Sequence, residues 1–215
     1  MSGEPTALKS PSKRARRRDV IREEAARIFA QLGYHVASVQ DLAEALNSTK
    51  AAIYYYYASK EDILFDIMTF ADEQVTPILD RSVECPGSAL ERVGRLVQSH
   101  VTWYLQHPNI AKVAFRDWNA LTGDALRIQI ERRRRYSRIL RDAIDRCREA
   151  GLMAYDVRTL LVANFINGAV TTSNVWFNPR GPDTPERVGR AFGEMAMAVV
   201  AGGAFNQSPS ADLPK

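Results

Sequence analysis

The chain has 215 residues, 46% of them hydrophobic, with 29 Lys and Arg against 25 Asp and Glu for a net charge of +4. That composition excludes a disordered or fibrous chain, and two widely separated cysteines, Cys85 and Cys147, exclude a disulfide scaffold or a cysteine-based zinc site. No apolar run approaches the roughly 20 residues that cross a bilayer, and residues 1–18 lack a signal-peptide core, so a cytoplasmic protein without membrane association is expected.

The charge is unevenly spread. Up to Lys60 there are ten bases (Lys9, Lys13, Arg14, Arg16, Arg17, Arg18, Arg22, Arg27, Lys50, Lys60) and six acids (Glu4, Asp19, Glu23, Glu24, Asp41, Glu44), a balance of +4, so the remaining 19 bases and 19 acids cancel. A polyanion-binding N-terminal part joined to a neutral remainder follows.

Residues 1–16, with Gly3, Pro5, Pro11 and a run of bases, show no helical or strand period and are expected to be a flexible basic arm. Ile21, Ala25, Ile28, Phe29 and Leu32 then mark a helix ending at Gly33. Ser38, three residues before Asp41, opens a short helix that Asn47 can end; Thr49 is the N-cap of a third, running to Tyr57; and Ser59 is that of a fourth, long helix, which Pro77 should kink or end. Further helical segments are expected at about 88–106, 109–121, 124–150 and 156–177, and after Thr184 and Pro185 as far as Gly202. The expected fold class is all-α: a three-helix helix-turn-helix domain over 17–62, a helical domain over 63–205 and a disordered tail over 206–215.

Two short helices behind a basic arm have the outline of a helix-turn-helix. The stretch AARIFAQLGYHVASVQDLAEALNSTKAAIYYYYASKEDIL, from Ala25 to Leu64, resembles the N-terminal signature of the tetracycline-repressor (TetR) family of transcriptional regulators, in register and without a gap. The resemblance implies an operator-binding, ligand-responsive homodimer. It makes Ser38, Thr49, Tyr54, Tyr55, Tyr56 and Lys60 the positions for phosphate contacts, and Ser48, Lys50, Ala51 and Ala52 those presented to base edges. Ser48 stands where the family usually has an apolar residue and Ala51 where it commonly has glycine, so the reading helix is expected to sit slightly differently in the groove.

The tyrosine run can be resolved by helical phase. With Ile53 inward and about 100° per residue, Tyr57 lies about 40° away, in the core, while Tyr55 points outward at about 200° and Tyr54 flanks it at about 100°. Tyr56, about 60° to the other side, lies on a boundary. Arg14, Arg16, Arg17 and Arg18 of the arm could track phosphate or enter the minor groove, or simply aid solubility.

In the C-terminal part, four consecutive arginines in ERRRRYSRILRDAIDRCREAG (Glu131 to Gly151) cannot share one helix face, so at least one should turn inward and could hold an anionic ligand. Arg132 and Arg135 are the candidates. Trp103, Tyr104, Phe115, Trp118, Tyr136 and Phe165 could wall a ligand cavity, although each by itself reads as core. Small residues in the last two helices, Ala169, Thr172, Gly189, Ala191 and Ala196, suggest a four-helix dimer interface. The layout around NPRGPDTPE (Asn178 to Glu186) is similar to TetR-type regulators of lipid catabolism that respond to acyl-coenzyme A thioesters.

His35, His100 and His107 have no metal-ligand spacing and read as surface or structural histidines; no metal, cofactor or catalytic motif is expected. A nonspecific architectural DNA binder, or a helical ligand-binding protein or enzyme without a DNA role, is the alternative class. The long neutral C-terminal half argues against the first, and the absence of catalytic signatures against an enzyme.

Overall fold

In the computed structural model, residues 12–154 and 156–202 are described; the parts of the expected arm and tail at 1–11 and 203–215 lie outside them. The described residues form an all-helical protein. Helix α1 spans Lys13–Leu32, α2 Val39–Ala45, α3 Lys50–Tyr54 and α4 Lys60–Glu84. They are followed by α5 (Ala89–Gln106), α6 (Pro108–Arg116), a 3-10 turn at Trp118–Ala120, α7 (Gly123–Glu149), α8 (Thr159–Trp176) and α9 (Pro185–Ala201).

Capping chemistry sets the boundaries. Ser38 accepts from the Asp41 amide at 3.1 Å while the Asp41 carboxylate accepts from the Ser38 amide at 2.7 Å, a complete capping box. Thr49 and Ser59 accept from the Ala52 and Asp62 amides at 3.1 and 3.0 Å, starting α3 and α4. Asn47, at φ +46°, turns the chain out of α2 in the left-handed region that its short polar side chain tolerates.

Three expectations need correction. The arm does not extend to residue 16: Ser12 caps α1 by accepting from the Ala15 amide at 3.2 Å, so Arg14, Arg16, Arg17 and Arg18 ride on a helix. The third helix stops at Tyr54, after which the chain turns so that the Tyr57 ring enters the core. Pro77 lies inside α4 without ending it; both Pro77 and Glu73, whose carbonyl loses its helical partner, are exposed, so water can satisfy that oxygen. The boundary expected between 62 and 63 consequently falls within one continuous helix that belongs to both halves.

The head core contains Ile21, Ala25, Phe29, Leu42, Ile53, Tyr57, Leu64 and Ile67, all buried. Behind it α5 is the central helix, in contact with α4, α6, α7, α8 and α9. It approaches α9 backbone to backbone. A Cβ on Gly193 would sit 2.6 Å from the Gly94 carbonyl oxygen, and one on Gly189 would meet Thr102 Oγ1 at 2.2 Å. Gly189 and Ala196 therefore serve packing within the subunit rather than the outer surface expected of them, whereas Ala169, Thr172 and Ala191 are exposed.

Candidate nucleic-acid interface and interior polar site

The outer surface of the head is built by α3 and the first turns of α1. Ile53 and Tyr57 face the core, Tyr57 only 3% exposed, which leaves Tyr54 and Tyr55 outward, Tyr55 at 68% exposure. Tyr56 is half-buried and meets the Tyr55 ring edge-on at 5.0 Å. Ser38, Thr49, Lys50 and Ala51 are exposed, Ser48 and Ala52 half-buried, so the two helix N-termini and the flank of α3 form one accessible surface. Beside it Lys13, Arg14, Arg16, Arg17 and Val20 of α1, with Tyr55 and Tyr56, line an open groove of 620 Å³, and the Arg14 guanidinium lies 5.6 Å from the Tyr55 ring centre. Amines, guanidinia and phenolic hydroxyls on one groove are donors suited to phosphate oxygens.

Two expected contact residues are otherwise engaged. Arg18 is turned toward the protein, ion-paired to Asp66 at 3.1 Å and stacked 4.6 Å over Tyr57. Lys60 extends its ammonium 4.3 Å over the Tyr34 ring, where burial lowers its pKa. Asp66, which the sequence reading missed, is the hub: it accepts from the Tyr57 hydroxyl at 2.7 Å and lies 3.6 Å from Arg22. Burial, followed by this hydrogen bond to a carboxylate, holds the Tyr57 hydroxyl well above its ordinary pKa. An acid beside the apolar stripe of Ile63 and Ile67 was the available signal.

The second site is inside the C-terminal helices. The Tyr136 hydroxyl of α7 hydrogen-bonds Nδ1 of His100 on α5 and lies 3.4 Å from Asn167 Oδ1 on α8. The His100 ring meets that of Tyr104 at 5.7 Å. Burial drives His100 down to about 3, so its imidazole is neutral at neutral pH, and raises Tyr104 and Tyr136. Asp72 of α4 is pushed up to about 6 by burial, partly offset by Arg132 and Arg133.

The arginine run resolves differently from the expectation. Arg132 donates to Thr69 Oγ1 at 2.8 Å and pairs with Asp72 at 3.4 Å, and Arg135 pairs with Asp80 at an exposed position. Arg133 is the one aligned with the interior, 4.7 Å over the Trp118 ring and 5.9 Å from that of Phe115. Trp103 and Tyr104 are buried and Trp118 half-buried, but Phe115 is exposed at 45% and Phe165 at 65%. His100, Asn167, Asp72 and Arg133 were missed because which positions of a long helix face inward depends on its phase against neighbours.

Among the described residues no group of histidines, cysteines and acids could hold a metal ion, and no helix is long and apolar enough to cross a membrane.

Known proteins share this fold. The family described as "Bacterial regulatory proteins, tetR family" matches residues 21–67, and "Tetracyclin repressor-like, C-terminal domain" matches residues 86–200. The HTH-type transcriptional repressor KstR2 of Mycobacterium tuberculosis is 26% identical over 190 residues, covering 87% of this chain and 92% of that protein. Its solved structure, described as a ketosteroid transcriptional regulator, superposes with a TM-score of 0.78 at 23% identity, over 91% of this chain and 95% of that one. The TetR-family regulator PfmR from Thermus thermophilus is 29% identical with a TM-score of 0.74, over 82% and 96% of the two chains. AibR, solved with isovaleryl coenzyme A and operator DNA, is 25% identical with a TM-score of 0.74, over 83% and 97%. With both halves matched, the chain belongs to the TetR family of ligand-responsive, DNA-binding transcriptional regulators.

Proposed function

We propose that the protein is a repressor that binds a palindromic operator as a homodimer in the cytoplasm and is released by a small molecule. The observation that carries this reading is the exposed tyrosine and arginine surface of the head, where Tyr54 and Tyr55 stand outward beside the basic turns of α1. In this reading α3 enters the major groove and offers Lys50, Ala51, Ala52 and Ser48 to base edges. Ser38, Thr49, Tyr54, Tyr55, Tyr56 and Lys60 hold phosphates, with Arg14, Arg16 and Arg17 extending the backbone contacts along α1. Lys60 and Arg18 would first have to leave their present partners.

The dimer reading rests on α8 and α9. Leu161, Phe165 and Trp176 of α8 and Met195 of α9 are exposed. Phe165 lies four residues after Leu161, and Ala169 and Thr172 continue the same face of α8, an apolar stripe of the kind that helix pairs bury. A twofold arrangement through that face would present two heads to two half-sites about one helical turn apart. By likeness to AibR and KstR2, the effector is an acyl-coenzyme A or another lipid-derived molecule, which would act by favouring one arrangement of the heads.

Selection of the purified protein on random duplex DNA at near-physiological salt tests the reading. An enriched palindrome is the expected result. Binding without enrichment would indicate sequence-independent backbone binding, and no binding would remove the DNA-binding role.

A further inference from the structure

Along the inward stripe of α7 the residues are Gln129, Arg133, Tyr136, Leu140, Ile144 and Cys147, spaced by three and four. The C-terminal half of the stripe is ordinary core, with Leu140, Ile144 and Cys147 buried. Its N-terminal half is polar and incompletely matched. Gln129 is 3% exposed and its Oε1 has no hydrogen-bond partner. One turn later Arg133 is half-buried, yet among the described residues no carboxylate comes within 4 Å of its guanidinium and no hydrogen bond reaches it.

Its neighbours are different. Arg132 pairs with Asp72, Arg134 with Glu131 and Arg135 with Asp80, so the three flanking arginines of the run each have an acid. Of the four, the arginine directed inward is the one without an acid among the described residues. Around it stand the rings of Trp118 and Phe115, and its charge is coupled to Tyr104, Tyr136 and Asp72. A guanidinium drawn out of water without a counter-ion is unfavourable, and an interior that holds one beside aromatic walls has donors for which the described residues supply no acceptor.

We infer that Arg133 is the anchor for the acidic group of an organic anion, a carboxylate or phosphate on an apolar body, with Trp118 and Phe115 flanking it and the Tyr136–His100–Asn167 network beyond. The guanidinium takes the acid bidentately, and the rings cover the body of the ligand. This assignment rests on the reading that the C-terminal helices take a small-molecule effector. It moves the anion contact from Arg132 and Arg135, which are already paired, to Arg133, about 100° round the helix from Arg132.

The test uses full-length protein titrated with hexanoate, hexanoyl-coenzyme A and hexanol, followed by tryptophan fluorescence, to which Trp118 contributes, and by thermal melting. At least one of the two acids should perturb the fluorescence and raise the Tm of the wild type, and hexanol should do neither; the acid that binds distinguishes a carboxylate from the phosphates of coenzyme A. Arg133→Gln should weaken that binding by about tenfold or more, Arg133→Lys by less, and Arg138→Gln, an exposed pair of Glu131, should bind as wild type. In the absence of ligand, Arg133→Gln should melt no lower than wild type, because an unpaired half-buried cation contributes little to the fold. Equal binding by Arg133→Gln overturns the assignment, as does hexanol binding as tightly as the acids. A fall of about 4 °C or more in the Tm of the empty variant would make the arginine structural and overturn it too. If neither acid binds, the anionic assignment is wrong, and a small-molecule filtrate of the source cytoplasm then decides the wider reading: release of operator DNA retains an effector, and no release removes both.

Discussion

At Tyr57 one side chain serves packing and polarity together: its ring is buried with Ile53 while its hydroxyl donates to Asp66, which also holds Arg18 and Arg22. Tyr57→Phe keeps the ring and removes the donor, so it should cost about 1–2 kcal/mol in chemical denaturation. Tyr55→Phe, two residues earlier and outward, should leave the denaturation midpoint unchanged and weaken operator binding, a contrast that melting and DNA titration read together. The inward phase of Ile53 and Tyr57 was legible in the sequence because they stand four residues apart, and the Tyr57 amide still donates to the Ile53 carbonyl past the end of α3. The partner of Tyr57 was not, since Asp66 lies on another helix and its acceptance of that hydroxyl depends on how α3 and α4 cross.

Asp72 and His100 oppose one another with pH. The folded pKa of Asp72 is raised to about 6, so its favourable contribution is complete below the unfolded value near 4 and is lost as pH climbs through about 6. His100 is depressed to about 3, so its contribution is complete above the unfolded value near 6.5 and is lost as pH falls toward 3. Between pH 4 and 6 the two slopes cancel in part. Asp72→Asn removes the falling slope, and its stability should rise from pH 4 to 6.5 more steeply than that of wild type, with no loss relative to wild type at pH 7. Urea titrations across that range check it, and a parallel displacement of the two curves would contradict the assignment.

At the scale of elements, α5 and α9 are held at a distance that excludes a side chain. Gly193→Ala would drive a methyl to within 2.6 Å of the Gly94 carbonyl, where backbone rather than a flexible tip must yield. The expected loss is about 1–3 kcal/mol, seen as a lower urea midpoint. Small residues in the last helices were visible in the sequence, but smallness does not say which neighbour comes close. Gly189 faces α5 and Ala196 is buried, whereas Ala191 is exposed. The same ambiguity misplaced Phe165, because α8 carries apolar residues on two faces and periodicity alone does not tell core from interface.

On the scale of the whole molecule, the proposed function depends on the outward stripe of α8 and on the contacts between head and body. If the exposed stripe of α8 joins two subunits as proposed, Phe165→Glu should leave a monomer in sedimentation and abolish tight operator binding, while the helical content of each subunit persists. Head and body are tied where Arg116 of α6 donates to the Phe29 carbonyl at the end of α1 at 2.6 Å, and where the Thr122 amide at the start of α7 donates to Glu61 of α4 at 2.5 Å. Arg116→Ala should leave the operator affinity of the empty protein within about threefold and reduce the effect of ligand on that affinity, since coupling needs a contact that differs between two states.

The sequence by itself determined most of the helices, the caps at Ser38, Thr49 and Ser59 and the layout of the head, because a capping box, left-handed Asn47 and the inward phase of Ile53 and Tyr57 are local properties of a few adjacent residues; it did not show that α1 begins at Lys13 or that α4 continues through Pro77. It determined the family for the same reason: the reading head is one uninterrupted stretch. Only the tertiary structure decided that Arg133 rather than Arg132 or Arg135 faces the interior, that Phe165 faces outward, and that Asp66 joins Arg18 to Tyr57. Each of those depends on how one helix is rotated against another, and residues 100° apart on the same helix differ in that respect while looking alike in the chain.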